Sequence, residues 1–522
     1  MADRAVALSG RAGFGAGLAV AGLVLCLTLG TLAAVAWRAE AASGLGPADW
    51  AAVRFTLLQA ALSASISVLL AVPVARAFAR RRFPGRAALI ALLGAPFILP
   101  VIVAVLGLLA VFGRSGLLND GLRAAGLPAI SIYGLQGVLV AHVFFNLPLA
   151  TRLILQGWAA VPAERFRLAA SLGLGAGEVG RFLERPMLRA VLPGAWVAVF
   201  VVCLTSFAVA LTLGGGPAAT TVELAIYQAF RFDFDLSRAA LLAGVQFALC
   251  LGAAGLAGRV ARPAGFGAGL DRAAERWDAR SGWLRAQDAG VIALVSAFLL
   301  LPLALVLLRG VPQLGGLPAS VWAAAGRSVA VALASTALCL MLALPLAIAA
   351  TGRGGRWIEA AGMLGLATSS LVLGTGLFLL LRPFVRPGDL ALPVTVLVNA
   401  VMALPFVLRA LLPALRDLQA GYGRLAASLG LRGLARLRLL ILPRLRAPLG
   451  FGAGLAAALS MGDLGVIALF ADQGTETLPL QLYRLMGAYR MEDAAGAAVL
   501  LLGLSLGLFW AFDRGGRGHA GL

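Results

Sequence analysis

No lysine occurs among the 522 residues; all 43 basic side chains are arginine. A Walker A loop needs its lysine to reach nucleotide phosphates, and a Schiff-base enzyme needs a lysine amine, so neither chemistry can be housed in this chain. Histidine is almost missing too. His142 and His519 are the two present, too few for a His-rich metal site, and no metal site is expected. The four cysteines, Cys26, Cys203, Cys250 and Cys339, lie far apart inside apolar runs, which suggests neither a CxxC site nor a disulfide framework. Charge is scarce: 13% of residues carry it, against about a quarter in soluble chains. What is there instead is apolar, with 61% hydrophobic residues and a mean hydropathy of +0.94. This composition excludes a soluble multidomain enzyme, a disordered protein and a secreted disulfide scaffold. It leaves an all-α polytopic membrane protein.

A formal charge of +20 raises the question of nucleic acid. The arginines stand in short groups between apolar runs, not on one basic face, so no nucleic-acid partner is expected. A spanning helix needs roughly 20 mainly apolar residues. Twelve such runs are read at 13–36, 52–75, 87–112, 135–157, 191–213, 237–258, 288–308, 323–350, 358–381, 392–412, 448–470 and 493–512. The first follows Arg4 and Arg11, and Ala-Val-Ala at 34–36 resembles a cleavage site. Its apolar core is longer than the h-region of a leader peptide, so it reads as a span. With both termini inside, 31 of the 43 arginines fall on the inner side and 12 on the outer side. Positive charge marks the cytoplasmic face, which sets that orientation. Acids gather instead in the outer loops: Asp120, Glu223, Asp233, Asp235, Asp389, Asp472 and Glu476.

The chain reads as two copies of one unit. RLAASLGL occurs at Arg167–Leu174 and again at Arg424–Leu431, an offset of 257. The same offset pairs Leu147-Pro148 with Leu404-Pro405, Arg152 with Arg409, Arg181 with Arg438, Pro186 with Pro443 and Arg189 with Arg446. Pro73 corresponds to Pro345 at an offset of 272, which places about 15 extra residues of the first copy in the outer loop 113–134. The repeat is parallel, with six runs per copy: a first half at 1–258, a cytoplasmic linker at 259–287 and a second half at 288–522. Part of the linker reads as a short surface helix.

Loops 158–190 and 413–447 each hold a helical stretch, a glycine (Gly173, Gly430) and a second helical stretch ending near a proline (Pro186, Pro443). The glycine lets the backbone turn. Ala169, Ala170 and Ser171, repeated as Ala426, Ala427 and Ser428, present a small surface that another protein can approach, with Arg167 and Arg424 beside it. A connector lying near anionic headgroups is the plainer reading. Recurrence of the segment favours a docking element.

This spacing resembles the EAA loop of ABC importer permeases, which reads Glu-Ala-Ala, three residues, Gly, then about a dozen residues to Leu-Pro. The leading Glu is replaced by Arg167 and Arg424, and the following Ala by Leu168 and Leu425. Leu442-Pro443 is intact, whereas the first copy has Arg185-Pro186. Two further segments, TLGGGPAATTVELAIYQAFRFDFDLSRAA (Thr212–Ala240) and SMGDLGVIALF (Ser460–Phe470) with TLPLQLYRLMGAYRMEDAA (Thr477–Ala495), look like the permease family of thiamine ABC importers. The resemblance implies a type I importer permease of MetI-like architecture in the bacterial inner membrane. It also implies a periplasmic binding protein delivering thiamine or its phosphates, and two copies of a cytoplasmic ABC ATPase subunit that carries ATP and magnesium. No cofactor or catalytic residue is expected in this chain itself. A ferric-iron importer permease also has two fused halves and is the alternative within the superfamily.

Pathway candidates are His142 and Asn399, equivalent in runs four and ten, and Asp463 in run eleven, opposite Ser206. Intramembrane polar groups line a pathway or bond helices together. Within the resemblance, Asp463 would attract a cationic thiazolium; otherwise it caps a helix or sits near the outer mouth. The outer loops 214–236 and 471–492 carry Tyr227, Phe230, Phe232, Phe234, Tyr483 and Tyr489 with Asp233 and Asp235. They read either as a dock for the binding protein or as an interfacial aromatic belt. GFGAG at 13–17, 265–269 and 450–454 reads as helix packing or chance in a glycine-rich chain. An ion-coupled secondary transporter is the rival of another class; it would show broken helices and coupling carboxylates in both halves. The recurring inner loop argues against it.

Overall fold

The computed structural model describes residues 11–39, 44–94, 98–260, 277, 281–352, 354–472 and 474–517. All regular structure among them is helical. Apolar runs this long have one economical backbone solution in lipid, because only a helix bonds every N–H and C=O within the segment. The first half comprises α1 (Arg11–Ala39), α2 (Pro47–Arg80), α3 (Arg86–Leu92), α4 (Val101–Phe112), α5 (Leu117–Ala124), α6 (Leu135–Ala159), α7 (Ala163–Ser171), α8 (Ala176–Val179), α9 (Arg185–Leu204), α10 (Phe207–Leu213), α11 (Val222–Arg231) and α12 (Leu236–Val260). The second comprises α13 (Gly282–Gly310), α14 (Ala319–Ala350), α15 (Gly355–Met363), α16 (Ser370–Leu381), α17 (Ala391–Ser428), α18 (Gly433–Arg436), α19 (Leu442–Met461), α20 (Gly465–Phe470), α21 (Leu478–Gly487) and α22 (Met491–Arg517). Most of the linker, including the expected surface helix and GFGAG at 265–269, lies outside the described residues, as does His519.

Eleven stretches among the described residues are long and apolar enough to cross a membrane. The expected run at 358–381 is the difference: it is divided into α15 and the shorter apolar helix α16 by a 3-10 turn, Leu364–Ala367. Its counterpart is likewise divided into α3 and α4, and the fifth run of each half is interrupted between α9 and α10 and between α19 and α20. Broken helices therefore occur in both halves, so that feature does not single out a secondary transporter. The extra residues of the first half, 113–134, hold α5, whose Asn119 donates to the carbonyls of Gly113 and Ile130 and pins the loop.

The first helix of each half packs on the other half. Helix α1 lies against α14, α15 and α16, and α13 lies against α2 and α4. Two glycines permit this exchange. A Cβ at Gly107 of α4 would lie 2.7 Å from the Pro302 carbonyl oxygen, and one at Gly376 of α16 would lie 2.6 Å from that of Thr31. Gly107 and Gly376 are equivalent in the repeat, as are Thr31 and Pro302. The GFGAG segments at 13–17 and 450–454 are packing seams of the same kind. Gly17 faces Ala349 and Pro345, and Gly454 meets the backbone of Phe509 in α22.

Candidate functional site

The two RLAASLGL segments lie at the same end of the bundle, here the loop end, and have the same backbone. Helix α7 ends with Gly173 at φ +69, its N–H bonded to the Ala170 carbonyl and the Leu174 N–H to that of Ala169, both at 3.0 Å. Helix α17 ends with Gly430 at φ +65, with Gly430 N–H on Ala427 and Leu431 N–H on Ala426. This is a Schellman cap, which needs a left-handed residue that glycine supplies without a Cβ clash. After each cap comes one short α-turn and then a π-turn, Gly180–Glu184 and Leu437–Ile441. The prolines follow one residue into α9 and α19. Having no N–H, Pro186 and Pro443 cannot bond four residues back; the preceding Arg185 and Leu442 bond five residues back to Gly180 and Leu437. The second helical stretch therefore does not end near the proline, as the spacing suggests, but runs through it into the next span.

Two further differences concern these loops. Ala169 and Ala426 are buried, so the small surface consists of Ala170, Ser171, Ala427 and Ser428. Beside it stand exposed Leu168, Leu172 and Phe182, matched at the same offset by Leu425, Leu429 and Leu439, with exposed Arg167 and Arg424. Each copy thus exposes three large apolar side chains framed by arginines, a patch of the kind that a partner or a membrane surface covers. The run at 392–412 does not stop before its loop: α17 continues to Ser428 as one 38-residue helix, whereas Pro162 separates α6 from α7. The first loop is also tied down by charge. Glu184 pairs with Arg76 at 2.9 Å and Arg80 at 3.6 Å, and the Trp277 indole donates to the Leu174 carbonyl at 3.1 Å. The equivalent of Glu184 is Ile441, which joins an apolar cluster.

The intramembrane candidates converge as two equivalent clusters. His142 Nδ1 lies 3.0 Å from Ser63 Oγ and its Nε2 lies 2.7 Å from Ser206 Oγ. Asn399 donates to Ser460 Oγ at 3.0 Å, and Ser460 donates to Ser335 Oγ at 3.2 Å. These bonds cross between helices, the arrangement expected of interhelical hydrogen bonding. Asp463 Oδ1 accepts from Gly465 N–H at 3.2 Å at the start of α20, beside Asn399. Among the described residues it forms no salt bridge.

At the opposite end, each half sends a short helix back into the bundle. Thr56 of α2 accepts from Val222 N–H at 2.8 Å, and its equivalent Ser328 of α14 accepts from Leu478 N–H at 2.7 Å. Both hydroxyls lie nine residues into their helices, about 13 Å down the axis. So α11 and α21 start deep and run outward. Tyr227 consequently packs edge-on to Phe207 at 8% exposure, and Tyr483 is partly buried. Neither is fully exposed. Asp235 caps α12 through Arg238 N–H, and Asp233 pairs with the Arg238 side chain. Of the aromatic candidates, Tyr489 is the most exposed at 90%, and Phe234, which holds the matching tip position, is 79% exposed. Both adopt left-handed backbone, φ 59 and 53. Two of the acids read as outer-loop charges are not exposed. Glu476 is buried between Arg327 and Arg484. Glu223, in the first turn of α11, is 1% exposed. Sequence reasoning missed Glu223, and its only signal was its place just after the Thr221 cap of an apolar segment.

No protein-family model matches the sequence. Whole-chain similarity is nevertheless extensive. The thiamine transport system permease protein ThiP of Salmonella typhimurium is 41% identical over 483 residues, covering 90% of each chain. That of Escherichia coli is 40% identical over 516 residues, 95% of this chain and 96% of the relative. That of Brucella abortus is 40% identical over 512 residues, 95% and 94%. The helical bundle has the MetI-like architecture of type I ABC importer permeases, and the chain belongs to the family of thiamine transport system permease proteins.

Proposed function

We propose that this chain is the membrane-spanning permease of an ATP-driven importer, moving thiamine or its phosphates into the cytoplasm by alternating access. The observation that carries the reading is the pair of Schellman-capped loops with matched exposed faces, Leu168, Leu172 and Phe182 against Leu425, Leu429 and Leu439. Two like docks in one chain suit two copies of one ATPase subunit, each with its own ATP and magnesium, in the cytoplasm. The arginine bias supports a multi-pass chain in the bacterial inner membrane with both termini inside. The opposite end then meets a periplasmic thiamine-binding protein, and the flanks meet lipid.

In this mechanism ATP closes the ATPase dimer and draws the two loops together. Helix α17 carries that motion without a break from Ser428 into the membrane; α7 transmits it through the Pro162 joint and the Glu184 ion pairs. The bundles rock and open outward, and hydrolysis resets them. The ATPase must bind the two permease states with different affinity, since equal affinity shifts nothing.

The test is ATP hydrolysis and uptake in proteoliposomes holding the permease, its cognate ATPase and binding protein. Thiamine, thiamine diphosphate and ferric iron are offered in turn. Stimulation by the thiamine compounds alone is expected. Stimulation by ferric iron alone would discard the substrate, and failure to form a complex with the ATPase would sink the loop assignment.

A further inference from the structure

Glu223 has no role in the mechanism above, and its setting is unusual. It is buried in a membrane-embedded bundle, its polar neighbours are Ser369 and Gln246, and no cation pairs with it among the described residues. Neither carboxylate oxygen meets an aligned donor, and the fully buried Gln246 Oε1 beside it is equally unmatched. A carboxylate so placed is costly to keep. Capping does not explain it, because Thr221 already caps α11 by accepting from Leu224 N–H.

A second carboxylate approaches from the other half. Ser369, next to Glu223, is the N-cap of α16, and Ser370 is its first residue. A Cβ at Gly465 would lie 2.8 Å from Ser370 Oγ and 3.7 Å from Asp463 Oδ1. Glu223 and Asp463 therefore flank the same first turn of α16. Asp463 sits over the first amides of α20, with Gly465 N–H on Oδ1 and Asn399 beside it, and its Oδ2 meets no aligned donor. Helices α11, α16 and α20 all run outward from this level. Two turns on, about 10 Å along the axes, their side chains meet again: Phe230 stands edge-on to Phe378 at 4.3 Å between ring centroids, and Phe378 to Phe470 at 5.5 Å. An acidic floor thus lies under an aromatic roof, on three short helices contributed by both halves.

We propose that Glu223 and Asp463, with Gln246 and the Phe230, Phe378 and Phe470 rings, form a station within the permease for a flat heteroaromatic cation. Carboxylates neutralise the positive ring and aromatic faces stack on it. The site is closed at its outer end by the rings and fills when the bundle opens outward. The proposal rests on the transport reading above, because it supplies the cation: the thiazolium ring of thiamine.

The experiment uses the full complex in proteoliposomes with Glu223→Gln, Asp463→Asn and the double change. Uptake per ATP hydrolysed is expected to fall about tenfold in the double variant, while hydrolysis stimulated by loaded binding protein stays within about twofold of the parent. Glu223→Asp, which keeps the charge, is expected to recover part of the loss. A second measurement needs no variant. The parent is given thiamine and an uncharged isostere with carbon in place of the thiazolium nitrogen, each saturating the binding protein; the cation is expected to cross about tenfold faster per ATP. Equal transport of both, or unchanged uptake per ATP in the double variant, overturns the station and leaves the importer intact. A parent that shows no thiamine-stimulated hydrolysis overturns the importer reading and the station with it.

Discussion

The junction of α11, α16 and α20 has a twin, built from the equivalent helices α21, α4 and α10. The backbones correspond: Thr221 and Thr477 precede the re-entrant helices, and Thr56 and Ser328 bond their first turns. The side chains do not. Glu223 faces its equivalent Pro479, Asp463 faces Ser206, Ser369 faces Pro100, and the rings of Phe230, Phe378 and Phe470 are replaced by Met486, Leu109 and Leu213. One junction is acidic below and aromatic above; the other has neither a carboxylate nor a ring at the matching positions. The two Schellman-capped loops behave the opposite way, keeping eight identical residues. A duplicated chain held to one partner type at one end must keep that end alike. Substrate, which has no twofold symmetry, imposes no such demand in the middle. Chemistry has diverged where a single asymmetric ligand would pass and has been kept where two equal partners would dock.

The largest expected effect lies at the loops. Gly173→Val and Gly430→Val each place a β-branched residue at positive φ, which costs roughly 1–2 kcal/mol. Together they are expected to reduce uptake coupled to hydrolysis by about 100-fold, with single variants about equal to one another. Coupled uptake that survives both changes would remove the docking role. A smaller effect is expected where the halves exchange their first helices. Gly107→Leu and Gly376→Leu drive side chains into the backbones of α13 and α1, an overpacking of about 1–3 kcal/mol that thermal unfolding in detergent would register. A large loss at one site and none at the other would mean that the exchange holds the bundle on one side only. Next comes Phe378→Leu, which gives the aromatic roof the residue of its twin. Two ring contacts disappear, each worth about 1 kcal/mol. ATP hydrolysis without binding protein is expected to rise as the closed outer end weakens; unchanged basal hydrolysis would separate the rings from closure.

Much of this was legible in the sequence, for physical reasons. Apolar runs give spans because lipid leaves the backbone no alternative, and the offset of 257 gives the repeat because the loops kept their residues. Gly173 and Gly430 declared their turns because only glycine enters that backbone region cheaply. What escaped depends on contacts distant in sequence. Nothing local to Gly107 or Gly376 says that the opposite half's first helix lies across it. The division at Leu364–Ala367 is hidden because the break is itself apolar. Glu223 looked like an outer-loop acid because hydropathy assigns the segment between two spans to solvent, whereas Thr56 draws that segment back into the bundle. Ala169 and Ala426 looked exposed because a small residue in a polar loop carries no sign of the face it occupies; their burial follows from the helical period, with Phe166 three residues before Ala169 in the same cluster.

The smallest expected effect lies at His142. Its two ring nitrogens reach Ser63 and Ser206, joining the α9–α10 break to α2 through α6. Asn399 occupies the matching position and does less by itself: it donates to Ser460, and Ser460 completes the link to Ser335. His142→Asn therefore puts the second half's residue into the first half, where Cys203 stands in place of Ser460 and cannot relay as well. A thiol is a weak donor and acceptor. One of the two histidine bonds is expected to be lost, and single interhelical hydrogen bonds in membranes average about 0.6 kcal/mol. His142→Asn combined with Cys203→Ser rebuilds the whole relay and is expected to recover that loss, a comparison that thermal unfolding of the two variants can make directly. A double variant no more stable than the single one would show that the two clusters, though equivalent in position, hold their helices by different means.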